Sequence, residues 1–323
     1  MRDTLPWYGT LASLLVLGPM AALVATAPPG QKLPPDAEAL SLDGEPLFPV
    51  PLMANVQARL EANLAEAQDV YDRTPADPDA AIWVGRRLAY LGRYQDAIAI
   101  YTDAIAQHPE YAKLYRHRGH RYITVRRFSD AIADLEEAAR LIKGLPDEVE
   151  PDGAPNERNI PTSTSHTNIW YHLGLAYYLT GDLERARDAY RECLVFSKNA
   201  DMIVATSHWL YMTLQLLGET RAADQVLQPI QDGMDIVENG SYYRLLLMYK
   251  GLIPPELILE RASADGGIQL PTSAYGVANW HLYNGRQETG LMLLYGIAAG
   301  NQWAAFGHIA AEADLYRVAK TSH

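Results

Sequence analysis

The stretch GRYQDAIAIYTDAI at residues 92–105 returns 34 residues later as RRFSDAIADLEEAA at residues 126–139. Arg93 coincides with Arg127, Asp96 with Asp130, Ala97 with Ala131 and Ala104 with Ala138, and Gly85 and Gly119 keep the same offset. Within each copy the apolar residues recur at three- and four-residue spacing, the period of an amphipathic helix. A fixed period of this length means one supersecondary unit stacked on copies of itself, since no unit can cover its apolar face alone.

Further units extend the pattern. The first carries Gly85, Gly92, Ala97, Tyr101, Ala104 and Pro109, with Leu88 at a position where tyrosine is usual. Trp170, Leu173, Gly174, Tyr177, Gly181, Ala186 and Tyr190 form another copy, in which Cys193 replaces the closing alanine, and Tyr211, Leu214, Gly218 and Ala223 carry a looser one. This set of Trp, Leu-Gly, Tyr and Ala positions resembles the tetratricopeptide repeat family. The resemblance implies an all-α fold, a right-handed α-solenoid of helix-turn-helix hairpins over 52–320. Clear repeats are expected at 78–111, 112–143, 167–200 and 204–230, and degenerate ones at 236–320. Small residues let the two helices of a hairpin approach closely, and aromatic side chains fill the space between hairpins.

One interruption stands out. Gly119 and Gly174 are 55 residues apart, so GLPDEVEPDGAPNERNIPTST is inserted, and we place the insertion at 144–166. Insertions in solenoids map to loops on one face, often the binding face, although an inert solvated loop fits the composition equally well.

Ahead of the repeats, no residue from Thr4 to Gln31 is charged, and LASLLVLGPMAALVATA ends in the small-x-small pattern Ala25-Thr26-Ala27. Residues 1–27 therefore read as a cleaved signal peptide or an uncleaved single membrane anchor, with a buried structural helix as a third reading. Either of the first two makes the protein an exported one of bacterial type, periplasmic or anchored facing the exterior. Residues 28–51, PPGQKLPPDAEALSLDGEPLFPVP, hold prolines that interrupt any helix and read as an extended tether.

The 39 acidic against 27 basic residues give a net charge of −12, which argues against a general affinity for nucleic acid. Cys193 is alone, so neither an internal disulfide nor a cysteine-rich metal site can form. No phosphate loop, nucleophile elbow or His-Glu-x-x-His pair is present, which weakens an enzymatic reading, and no cofactor is expected.

Against the acidic background, KLYRHRGHRYITVRRF at 113–128 holds five arginines, one lysine and two histidines with no acidic residue. Helical periodicity puts Tyr115, Gly119 and Tyr122 on the packing face, and Lys113, Arg116 and His120 together on another. Arg118 and Arg121 fall elsewhere, as ordinary surface charge. The resemblance implies that the face of Lys113, Arg116 and His120 lines the concave groove. By the same register Arg86 and Tyr90, then Asn168, Tyr171 and Tyr178, then His208 share that side. A basic, tyrosine-rich groove suits a protein or peptide partner with an acidic or carboxylate-bearing segment. The carboxylate clamp of some family members is not carried over, because Lys113, Arg116 and His120 depart from its Lys, Arg and Asn pattern. Two alternatives stand beside this reading. The cluster can simply solvate its helix. Or His117 and His120, three apart, can join Asp147, Glu148, Glu150 or Asp152 in a small-ligand or metal-dependent enzymatic site where groove and insert meet.

Overall fold

A computed structural model describes residues 32–321. The expected signal peptide or anchor, residues 1–27, lies outside the described residues, among which no helix is long and apolar enough to cross a membrane.

A short antiparallel hairpin opens the described chain, with β1 at Ala39–Leu40 and β2 at Pro46–Leu47. Helix α1 spans Ala54–Arg73, followed by α2 Pro78–Tyr90, α3 Tyr94–Gln107, α4 Ala112–Thr124 and α5 Phe128–Leu141. After the insert come α6 Ser165–Thr180, α7 Leu183–Phe196, α8 Ala200–Leu216 and α9 Thr220–Val226. The chain closes with α10 Gly240–Tyr249, α11 Pro255–Asp265, α12 Gln269–Tyr283, α13 Gln287–Ala298 and α14 Phe306–Thr321. The protein is an all-helical array of helix hairpins. From α2 and α3 to α4 and α5 every helix start is displaced by the 34 residues of the sequence period.

Local chemistry sets the boundaries. Asp77 caps α2 by accepting from the Asp79 backbone N–H, with Pro78 preset for the first turn. Thr164 and Thr167 form a reciprocal capping box at α6. Gly181, at φ 81°, ends α6 in the left-handed conformation open to glycine. Within hairpins, the first-helix glycines admit a second-helix ring. A Cβ built on Gly85 would lie 2.3 Å from the Tyr101 ring, and one on Gly174 would lie 2.7 Å from the Tyr190 ring.

The turn between α4 and α5 departs from this rule. Gly92 and Gly181 occupy the left-handed turn position of their hairpins, but there the second repeat carries Arg126, at φ 62°. Its side chain is fully buried, donating to the carbonyl oxygens of Thr124 (2.6 Å) and Trp303 (2.8 Å) and to Glu312 of α14 at 2.6 Å. Left-handed backbone costs an ordinary residue about 1–2 kcal/mol, which these charge-assisted bonds offset. They tie the last helix to the second hairpin. Arg317 reinforces the closure by donating to the Leu179 carbonyl at 2.7 Å, so α14 packs across α6.

Residues 32–51 correct the expectation of an extended tether. Ala39 and Leu42 are buried, and the hairpin packs at the joint between the first repeats and α14. The backbone N–H of Leu42 donates to Glu312 at 2.5 Å, the Trp303 indole donates to the Phe48 carbonyl at 2.6 Å, and Gln95 and Glu38 are joined by two hydrogen bonds. Proline excludes helix from this segment but not a paired, anchored strap.

Two outcomes follow from this packing. Gly174→Ala, although it favours helix by propensity, should lower stability to urea by about 1–3 kcal/mol, because the Tyr190 ring has no room to retreat. A variant as stable as the parent would contradict the tight hairpin contact. Arg126→Gly, which relieves the backbone, should nevertheless lose about 3–5 kcal/mol because Glu312 stays buried without its cation. A stabilised Arg126→Gly would show that turn strain outweighs the ion pair.

Candidate functional site: an insert seated on the concave surface

The insert answers much of the question raised by the basic stretch. Its residues 147–153 run as an extended strand over the first-helix faces of the first three hairpins. Glu150 N–H donates to the Ser163 carbonyl at 3.1 Å and Ser165 N–H to the Glu148 carbonyl at 2.8 Å, with a bridge between Val149 and Thr164. Successive carboxylates then fall on one side. Glu148 meets Lys113 at 2.9 Å, and buried Glu150 meets Arg116 at 3.2 Å. Asn168 donates to Glu150 at 2.9 Å, His117 Nε2 stands 3.4 Å from it, and Arg86 reaches within 4.0 Å. Arg86 also donates to the Pro151 carbonyl at 2.8 Å, and Arg87 to that of Gly153 at 2.7 Å. Gly153 lets the strand lie against Tyr90, whose hydroxyl would be 2.1 Å from a Cβ at that position.

The insert's far half anchors on the loop before α10. Arg158 pairs with Asp235 at 2.6 Å, and Glu238 accepts from Asn156 (2.6 Å) and Thr162 (2.9 Å). The insert is thus a strap from the first hairpin to the fifth, and behind it lies a cavity of about 660 Å³. Arg116, His120, Asn168 and Tyr171 line that cavity, as do His172 and Phe306.

Of the nine residues expected on the concave side, Arg86, Tyr90, Lys113, Arg116 and Asn168 contact the insert. His120 and Tyr171 face the cavity, where the His120 ring packs 4.3 Å from His172 and 5.3 Å from Phe306. Two do not lie at the surface. Tyr178 is fully buried and shares a 2.8 Å hydrogen bond with Tyr275. His208, 1% exposed, is stacked between Tyr242 and Tyr249. Both lie on first helices as the register requires, but α10, α12 and α14 fold over that face and turn it into core. Arg118 and Arg121 are also corrected. Arg118 forms a bidentate pair with Asp134, at 2.7 and 2.8 Å, and Arg121 lines the cavity. Sequence reasoning missed His172, Phe306 and Arg121. Arg121 follows His117 by four residues and carried a signal, but single-helix periodicity says nothing of a wall supplied by α14.

The electrostatics are those of a crowded basic site. Arg116 Nη1 donates to His117 Nδ1 at 2.9 Å, which puts the imidazole proton on Nε2, facing Glu150. Burial first, and then the neighbouring arginines, hold His117 and His120 well below the usual imidazole range. Burial and Arg116 do the same to His172, and burial alone pushes His208 down to about 3. A metal would find Glu150 beside His117 already balanced by Arg116 and Arg86. Among the described residues no group of three or more His, Cys, Asp or Glu is arranged to hold one.

Family models agree with the repeat pattern. Family models described as tetratricopeptide repeat match residues 85–146 and 167–200. These two stretches of the chain carry tetratricopeptide repeats. Among curated proteins it is similar to the BBSome complex member BBS4 of Bos taurus, 24% identical over 160 residues, which cover 48% of this chain and 27% of that protein. The chain spans about a quarter of that relative's length. Among solved structures it is similar to YrrB, described as a TPR protein with an unusual peptide-binding site, at 13% identity and a TM-score of 0.41, over 80% of this chain and 98% of that one. It is also similar to Naa15/Naa10 bound to HypK-THB, at 13% identity and a TM-score of 0.34, over 76% of this chain and 36% of that one.

The buried neutral histidines give the repeats a pH dependence of definite sign. Their folded pKa values lie below the ordinary 6.5, so below that pH the unfolded chain binds protons that the folded chain does not. Stability is fully present above pH 6.5 and falls as pH drops toward the folded values, by about 1.4 kcal/mol per histidine per pH unit. Urea unfolding at about pH 7.5 and about pH 5.5 should differ by several kcal/mol. Equal stability at the two would mean that these rings reach solvent.

Proposed function

We propose that the protein is a non-catalytic scaffold whose concave surface binds a protein or peptide partner through an extended acidic segment. The observation that carries this reading is the insert itself: Asp147-Glu148-Val149-Glu150-Pro151 is an acidic extended segment, and the groove holds it as it would hold a partner. Lys113 and Arg116 take alternate carboxylates, and Arg86 and Arg87 take main-chain carbonyls. Recognition of this kind uses backbone contacts for affinity and alternate side chains for specificity. A partner carrying a similar segment competes with the insert for these cations. Tetratricopeptide repeats typically mediate such contacts, and the relative BBS4 is itself a complex member.

The test uses the full chain. In Glu148→Gln/Glu150→Gln the insert loses its charge on the groove, and a synthetic peptide of residues 146–156 should then bind, more weakly as salt is raised. The unsubstituted protein should take up much less, because its own segment is present at high effective concentration. Adding Arg116→Ala to the double variant should weaken the peptide by about tenfold or more, the loss of one charge-assisted hydrogen bond. If the double variant ignores the peptide, the groove does not select acidic segments and the reading fails. Export through residues 1–27 is part of the same proposal, and N-terminal sequencing of the protein recovered from cells would distinguish cleavage after Ala27 from an intact chain.

A further inference from the structure

The cavity behind the insert has a separate feature. Of the five arginines in residues 113–128, four are paired. Arg116 is with Glu150, Arg118 with Asp134, Arg126 with Glu312 and Arg127 with Asp130. No hydrogen bond or ion pair of Arg121 is found among the described residues, and the Tyr94 ring lies 5.7 Å from its guanidinium carbon. Arg121 lines the cavity, and its charge contributes to lowering the pKa of both His120 and His172. A guanidinium left without a carboxylate in a chain this acidic, lining an open cavity, has the chemistry to receive an anion.

The walls define the rest of the ligand. His120, His172 and Phe306 bring three flat rings within 5.8 Å of one another, and Tyr171 packs against the same group. The two imidazoles are neutral for the reasons given above, so these rings offer a flat surface without charge. The lining also holds acidic residues. Asp152 and Glu238 are among them, and burial and then Glu238 raise the Asp152 pKa. A polyanion would meet repulsion there, whereas a hydrogen-bond donor would meet an acceptor. The volume, about 660 Å³, is that of a site for a small organic molecule.

We propose that this cavity binds a small organic monocarboxylate with a flat aromatic body, its carboxylate on Arg121 and its ring among His120, His172 and Phe306. The site is independent of the acidic-segment reading, because it is complete while Glu150 keeps Arg116 and the insert stays seated.

Indole-3-propionate, its primary amide, tryptamine and inorganic phosphate, each titrated against the full chain by calorimetry or ligand-detected NMR, provide the test. The acid should bind, and the amide, the amine and phosphate should each be weaker by about tenfold or more. Arg121→Gln should lose the acid to a similar extent, and Arg121→Lys, which keeps the charge but not the fork, should fall between. Because Arg121 holds no carboxylate of the protein, both variants should melt with the parent, and Arg121→Lys serves should Arg121→Gln unfold. The acid is titrated against the parent with its insert seated, so this result does not depend on whether the Glu148→Gln/Glu150→Gln variant takes up the acidic peptide, and failure of the groove reading leaves it standing. Absence of acid binding, equal binding of tryptamine or phosphate, or undiminished binding by either Arg121 variant would overturn the proposal.

Discussion

The buried pair of Arg126 and Glu312 is the constraint on which the rest of this architecture depends. An open stack of helix hairpins leaves its concave face to solvent. Here one carboxylate of the last helix accepts from an arginine in the second hairpin and from the backbone of Leu42 in the N-terminal strap. Three parts of the chain remote in sequence therefore meet at one charge. Neither partner can be left without the other, because an uncompensated buried charge costs several kcal/mol. The arginine accepts a left-handed backbone at a position where the neighbouring hairpins use glycine.

Closure converts the concave face into an interior. With α14 held against α6, first-helix side chains of the third and fourth hairpins such as Tyr178 and His208 become core, and His208 is buried within a stack with Tyr211, Tyr249 and Tyr242. The insert lies over the part of the groove near α2, α4 and the start of α6. Its acidic strand neutralises the cations that the sequence concentrates in α4. This is why a strongly basic helix is tolerated in a half-buried position. The charge is compensated from a loop that follows its own hairpin. What remains uncompensated is Arg121, among the lining residues of the cavity.

Insert and cavity place two kinds of surface side by side. The insert seat is an extended path in which Lys113 and Arg116 meet carboxylates of alternate insert residues and Arg86 and Arg87 donate to insert main-chain carbonyls. The cavity is a compact volume with one cation and flat walls. They share Arg116 and Asn168 as a partition, so occupancy of one bounds the other. A partner that displaced the insert would also open the cavity, since Asp152 and Ser163 belong to both.

The sequence by itself determined the repeat. The 34-residue period, the glycines facing Tyr101 and Tyr190, and the apolar faces are local matters, set by helical periodicity and close approach within one hairpin. It also located the insert and most of the cationic surface, because Lys113, Arg116 and Arg86 share a face through helix geometry alone. Tertiary structure decided the remainder. Tyr178 and His208 satisfy the register and yet are buried, because the partners that cover them, Tyr275 and Tyr249, lie 97 and 41 residues further along the chain. Residues 32–51 resemble a tether until Glu312 and Trp303 supply partners. Periodicity fixes which way a side chain leaves its helix, whereas what stands opposite depends on how the array curves and closes, and a single carboxylate in the last helix sets that.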